Sequence, residues 1–249
     1  MNEGIEEFSQ EFLFEIETAV KKEEPVSIIT YVLSNNGEAK LKHLIHSVLS
    51  KYGREDLIEL LFTSAKELIV NATKAAIKRV LFRELGLNID DPELYDQGMT
   101  SFKENLVSRK FPYYRRKMKE NGLFVKVTLS FNKDRIILLV QNNFTLAIRE
   151  EKRIREKFVH SKEFDNLFEY YMKYGDTTEG AGMGITMVEI LVAQSGYDRH
   201  LFTIYSRKSE NRTVARVEIP LNENYVPRRH RYQKWLLEKT QSTLDGEDS

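Results

Sequence analysis

Three glycines at alternate positions in Glu179-Gly180-Ala181-Gly182-Met183-Gly184-Ile185 run directly into Thr186-Met187-Val188-Glu189-Ile190-Leu191-Val192, an apolar stretch that reads as a helix. Few environments tolerate that combination. Alternating glycines let the backbone approach another group with no Cβ between them, and the free N–H groups of a first helical turn favour an anion. The stretch is therefore either a tight, small-residue helix entry or a phosphate site, and glycine spacing alone does not choose. Two familiar motifs are excluded. A P-loop ends in Gly-Lys-Ser/Thr, whereas Ile185-Thr186 follows Gly184. A dinucleotide fingerprint has a strand immediately before the glycines and a longer gap before the third, whereas Tyr174-Gly175-Asp176-Thr177-Thr178-Glu179 stands here.

A second feature carries related chemistry. From Arg54-Glu55-Asp56 to about Phe82 the spacing predicts one long helix, with Leu57, Leu61, Ala65, Leu68, Ala72 and Ala75 along an apolar face. Glu67, Asn71, Lys74 and Lys78 follow one another at steps of four, three and four, which stacks them in a polar stripe. Such a stripe is ordinarily a solvated face. A carboxylate and an amide one turn apart are also what a magnesium nucleotide needs, one to orient or deprotonate a hydroxyl and one to hold the metal through oxygen.

The remaining segments supply a sheet. Val26 to Leu33 reads as a strand closed by a turn at Asn35-Asn36-Gly37, and Leu41, Leu44, Ile45, Val48 and Leu49 then recur at helical spacing. Phe124 to Phe131 alternates, Asn132-Lys133-Asp134 turns, and Arg135 to Val140 returns, which predicts a hairpin. Leu201 to Ser206 and Thr213 to Pro220 predict a second one. Residues 83–121 look like an insertion, whose cluster Phe111-Pro112-Tyr113-Tyr114-Arg115-Arg116-Lys117 reads as a helix laid on the surface. The charged stretch 147–179 reads as a lid, and Trp235-Leu236-Leu237 as part of a short helix in the tail.

Composition narrows the classes further. Lys plus Arg equals Asp plus Glu at 38 each, so no global field favours nucleic acid or an anionic membrane. With no cysteine there is no disulfide, thiolate metal site or thiol nucleophile. The acidic start and the lack of a long apolar run lead us to expect a cytoplasmic protein with no membrane partner.

The ordered set of polar helix, hairpin, charged lid, glycine loop into helix, and closing hairpin resembles the GHKL superfamily of ATP-binding domains, which includes histidine kinases, anti-sigma-factor kinases and gyrase-type ATPases. The stretch Glu67-Leu68-Ile69-Val70-Asn71-Ala72-Thr73-Lys74 is similar to the family's asparagine box, and Gly180-Ala181-Gly182-Met183-Gly184-Ile185 to its second glycine box. The resemblance covers roughly residues 26–221, after an extension at 1–25 and before a tail at 222–249, and the order of elements looks most like the anti-sigma-factor type of serine kinase. It implies an α/β two-layer sandwich with a mixed, mainly antiparallel sheet covered on one face by helices. It also implies ATP and Mg2+ as ligands. Glu67 would be the base, Asn71 the magnesium ligand, Lys74 a phosphate contact and Asn142 the contact to adenine. Gly180, Gly182, Met183, Gly184 and Ile185 would line the phosphate loop, and Thr213 would stand where the family has a threonine in the closing hairpin.

One position departs from the pattern. The family's first glycine box begins with an aspartate that accepts from the adenine amino group and continues with glycine, while this chain has Asn142-Asn143-Phe144. An amide oxygen can accept the same hydrogen bond, more weakly than a carboxylate, so an aspartate at 142 is expected to tighten binding. Phe144 is expected to put bulk where the backbone should approach the base. Two functions follow as expectations. One is an ATP-binding signalling protein that passes the γ-phosphate to a partner protein or to water. The other is a catalytically silent module of the same fold that acts as a regulatory adaptor. A protein phospho-acceptor is the expected partner, and a homodimer is left open.

Overall fold

The computed structural model describes residues 8–164, 166–174 and 183–244. Helix α1 (Gln10–Lys22) is followed by strand β1 (Val26–Thr30) and helix α2 (Asn35–Lys51). Asn35-Asn36-Gly37, expected as a turn, is the first turn of α2. Ser34 causes this, because its hydroxyl accepts from the Gly37 N–H and satisfies one of the donors that a helix start leaves open. The long helix α3 (Ile58–Glu84) follows. The insertion then forms α4 (Pro92–Asn105), capped by Asp91 with a proline in its first turn, and α5 (Phe111–Glu120). A hairpin of β2 (Val125–Asn132) and β3 (Arg135–Asn142) leads into α6 (Ile148–His160) and α7 (Leu167–Tyr174). Helix α8 (Met183–Gln194), strands β4 (Phe202–Arg207) and β5 (Arg212–Pro220), and helix α9 (Arg228–Leu244) complete the described chain.

The five strands form one sheet in the order β1-β2-β3-β5-β4. Every pairing is antiparallel, where a mixed sheet was expected. The two-layer α/β architecture is as the sequence implied. Alternation supplies the layers. Val125, Val127, Leu129 and Phe131 on β2, Ile136, Leu138 and Val140 on β3, and Val217 and Ile219 on β5 are buried against helices in one core. Lys126, Thr128 and Ser130 point to the opposite face. The register pairs Asn142 with Val125 on one side and Thr213 on the other, so the two predicted site residues of the sheet end up adjacent.

Helix α3 belongs to two cores. Its first half, from Leu60 to Ala72, joins α1, α2, α8 and the sheet. Its second half contributes Ala76, Ile77, Val80, Leu81 and Phe82 to a separate cluster with Tyr95, Met99 and Phe102 of α4 and Tyr114 and Met118 of α5. The basic cluster of α5 is thus a surface helix that buries Tyr114 and Met118 and leaves Arg115 and Arg116 exposed, as its pattern suggested.

Gly98 is what lets α4 lie on α3. A Cβ there would stand 2.2 Å from Phe82 Cζ, and the ring is 2% exposed with little room to retreat. Overpacking of this kind costs about 1–3 kcal/mol. We expect Gly98→Ala to lower the melting temperature by several degrees, with little change at the sheet. A variant that melts with the parent would mean that α4 does not seat on Phe82.

Candidate functional site

A cavity of about 160 Å3 lies between α3, the sheet, α4, α6 and the start of α8. The polar stripe of α3 faces it, with Asn71, Lys74 and Lys78 along one wall. The stripe is therefore no ordinary solvated face. From the sheet come Val140, Asn142 and Thr213, and from α8 comes Ile185. The insertion adds Tyr95, Met99 and Phe102 of α4 as an apolar end wall. Helix α6 closes the remaining side with Glu150, Arg153, Ile154 and Lys157.

Glu67 is not part of the cavity lining, but it meets Asn71 at Gly184. A Cβ on Gly184 would fall 2.5 Å from Glu67 Oε2 and 2.8 Å from Asn71 Nδ2. Only a glycine lets the first turn of α8 come that close to both side chains. The Asn71 Nδ2 atom is buried there without a hydrogen-bond partner, as is the Thr186 hydroxyl two residues further along α8. Ser64 Oγ, Arg212 Nε and Glu218 Oε2 are also buried without a hydrogen-bond partner, and what sets Asn71 apart is that it lines the cavity and meets Gly184. Gly180 and Gly182 lie outside the described residues, and so does the side chain of Met183, whose backbone begins α8.

Asn142 is 6% exposed and its orientation is fixed. Its Nδ2 donates to the Ala72 carbonyl at 3.1 Å, which leaves Oδ1 as the acceptor that the cavity sees. Thr213 has a structural task beside it, since its hydroxyl donates to the Phe144 carbonyl at 2.8 Å and pairs with Ser206 Oγ at 3.1 Å. The first bond holds the start of β5 to the chain that leaves β3, and the second ties it to β4.

Phe144 does not obstruct the cavity. Its ring belongs to the second core and lies 3.9 Å from the Arg79 guanidinium, stacked on it. Arg79 in turn grips Glu150, with Nη2 2.6 Å from Oε2 and Nη1 3.2 Å from Oε1. Lys78 Nζ reaches Glu150 Oε1 at 3.0 Å and the Tyr95 hydroxyl at 3.3 Å. The Ala147 N–H also donates to Glu150 Oε2, at 3.0 Å, which ties the carboxylate to the start of its own helix. Burial alone would raise the Glu150 pKa, but the charges of Arg79 and Lys78 and these hydrogen bonds outweigh it and hold it at about 2.

Sequence reading found the cavity residues of α3 and the sheet but missed this cluster and the walls made by α4 and α6. The available signal was the spacing of Glu150, Arg153, Ile154, Lys157 and Phe158, which shares one helical face inside a segment that otherwise reads as charged lid. Of the expected lid, residues 165 and 175–179 lie outside the described residues.

No protein-family model matches the chain, and no solved structure matches it. A protein of Treponema pallidum (strain Nichols), described only as an uncharacterized protein, is 30% identical over 207 residues, 83% of this chain and 40% of that protein. The chain therefore spans about 40% of the length of the curated relative it matches. Among the described residues no helix is long and apolar enough to cross a membrane, and no group of three or more His, Asp or Glu side chains is arranged to hold a metal ion.

Two outcomes follow from this geometry. Gly184→Ala should push Glu67 and Asn71 apart and leave the fold in place, because the atoms its Cβ meets are the far ends of two side chains and not backbone. Asn71→Ala should likewise spare stability, whereas Leu68→Ala should cost about 2–5 kcal/mol as a core truncation. Thermal melts that rank Asn71→Ala with Leu68→Ala would make Asn71 a core residue and not a site residue.

The second outcome concerns Glu150. A carboxylate with a depressed folded pKa contributes stability that is complete above its unfolded value near 4.5 and is lost as pH falls through about 2. Denaturant unfolding should accordingly show a loss of stability between about pH 5 and pH 2. Glu150→Gln should remove part of that dependence and, by leaving two buried cations uncompensated, cost about 3–5 kcal/mol at neutral pH.

Proposed function

We propose that this chain is an ATP-binding signalling protein of the histidine-kinase-like fold, which passes the γ-phosphate to a protein partner or to water. The observation that carries the reading is the meeting of Glu67, Asn71 and Gly184, with an orphaned amide nitrogen on Asn71 at the start of a helix. Backbone N–H groups at such a helix start favour phosphate oxygens. Glu67 would orient or deprotonate an attacking hydroxyl beside them.

The residues present also fit magnesium. Asn71 offers one amide oxygen, and magnesium commonly takes one or two protein ligands with the rest from phosphate and water, so no protein cage is needed. When bound, the ion would neutralise charge on the phosphates. Lys74, on the same wall as Asn71, adds a cation toward them.

Asn142 selects the base under this reading. Its Oδ1 accepts a hydrogen bond, as the amino group of adenine requires, and would oppose the carbonyl that guanine carries at the same position. The alternative is a catalytically silent adaptor of the same fold, which the missing glycine box favours; the packing of the Phe144 ring on Arg79, outside the cavity lining, supports the nucleotide reading over it. A cytoplasmic location suits the neutral, cysteine-free composition.

Calorimetric titration with magnesium ATP tests the reading, with binding expected and GTP weaker. No heat at millimolar nucleotide would overturn it. The structure also reverses one expectation from the sequence. Asn142→Asp should weaken ATP binding, because a carboxylate would face the Ala72 carbonyl at 3.1 Å where an N–H now donates. The loss should be about 1–3 kcal/mol, the cost of an unmatched buried polar pair. Tighter binding by Asn142→Asp would mean that the amide does not present its oxygen to the base. Glu67→Gln should retain ATP binding and lose turnover.

A further inference from the structure

Helix α4 is tied down where it closes the cavity. Gly98 seats it on the Phe82 ring, the Tyr95 hydroxyl accepts from Lys78 Nζ at 3.3 Å, and Asp96 pairs with Arg149 of α6 at 2.5 Å. Tyr95, Met99 and Phe102 of this helix line the cavity, and all three are otherwise buried. Lys78 lies at the same end, about 10 Å along α3 from Asn71. Its charge is met by Glu150 Oε1 at 3.0 Å, and its ammonium stands over the rings of Tyr95 and Phe102, 5.5 and 5.7 Å from their centroids. What α4 presents to the cavity is therefore two rings and a thioether, a surface for a flat uncharged group and not for phosphate. Phe144, two residues past Asn142, belongs to the same core cluster as Met99 and Phe102, so this wall adjoins the end of the sheet where Asn142 stands.

The nucleotide reading above puts the phosphates at Gly184 and the amino group of the base on Asn142 Oδ1. Resting on that reading, we propose that Met99 and Phe102 of α4 set the size of the base site: they stand against the edge of adenine that carries the amino group, admit it unsubstituted, and exclude a base enlarged there. Asn142 reads which group the base carries, and α4 limits how large that group is. Tyr95 is the fixed part of the wall, held by Lys78 and by the Phe82 ring at 5.9 Å. Met99 is unbranched, and shortening it opens space without removing a hydrogen bond. The insertion between α3 and β2 thereby gains a task at the site, since its first helix supplies the wall that decides which nucleotides fit.

The test compares magnesium ATP with ATP that carries a benzyl group on the adenine amino nitrogen, by calorimetry on the full chain. The parent should bind ATP and hold benzyl-ATP about tenfold or more weakly, because a closed apolar wall rejects added bulk. Met99→Ala should recover benzyl-ATP by about tenfold and change ATP far less. A wall that matters only for stability predicts something else, since truncation would then weaken both nucleotides together. Circular dichroism checks the fold, and Phe102→Leu, which keeps more of the core volume, makes the same comparison should Met99→Ala misfold. If the parent binds both nucleotides alike, or if the folded variants hold benzyl-ATP no better than the parent does, this inference falls and the nucleotide reading stands. If the parent binds neither nucleotide, both fall.

Discussion

Residues 76–82 of α3 are buried one after another, and two of them, Lys78 and Arg79, are cations. Two charges inside a core are tolerated only if something opposite meets them at hydrogen-bond distance. Glu150, 71 and 72 positions along the chain from those partners, does so, at the price of locating α6 against α3. The cavity exists because of that constraint. Without the carboxylate the head of α6 would lose its tie to α3, and only Ile154 and Phe158, which pack on the main core, would direct the wall bearing Arg153 and Lys157.

The same constraint explains the sequence between β3 and α6. Glycine at 144 would permit a close backbone approach to a ligand, but it would leave one face of the Arg79 guanidinium without the ring that now stacks on it at 3.9 Å. A guanidinium is weakly hydrated and packs well against an aromatic face, so Phe144 completes the burial of a charge that an aliphatic core could not accept. Thr213 belongs to this arrangement too, because its hydroxyl holds the Phe144 carbonyl and thereby the chain carrying the ring.

Much of the architecture was legible in the sequence because it rests on short-range signals. Alternation gave both hairpins, the 3.6-residue period gave α2, α3 and α8, and the cluster around Tyr114 gave a surface helix. Asn35-Asn36-Gly37 misled because turn composition and a helix start look alike until Ser34 is recognised as the cap. The stripe of Glu67, Asn71, Lys74 and Lys78 was legible as a stripe, but not that Asn71, Lys74 and Lys78 wall a cavity, since spacing says which residues share a face and nothing about what covers it. The α4 wall and the Arg79–Glu150 pair were illegible for a simpler reason. Both are long-range contacts, and no local pattern encodes which distant carboxylate answers a given cation.

The glycine stretch and the asparagine stripe illustrate how two weak signals become a strong one. Spacing left the glycines divided between helix packing and phosphate binding, and Gly184 stands where the two readings meet. Its missing side chain lets α8 pack on α3, and the space so created holds Glu67 Oε2 and Asn71 Nδ2 at distances that no Cβ could tolerate. Close packing of two helices accounts for the glycine but not for the polar atoms gathered at the contact, because an apolar pair at 67 and 71 would pack there at lower cost. Burying an amide nitrogen without a partner works against stability. A bound anion would offset that loss, and that is why the proposed function rests on this contact and not on the glycines themselves.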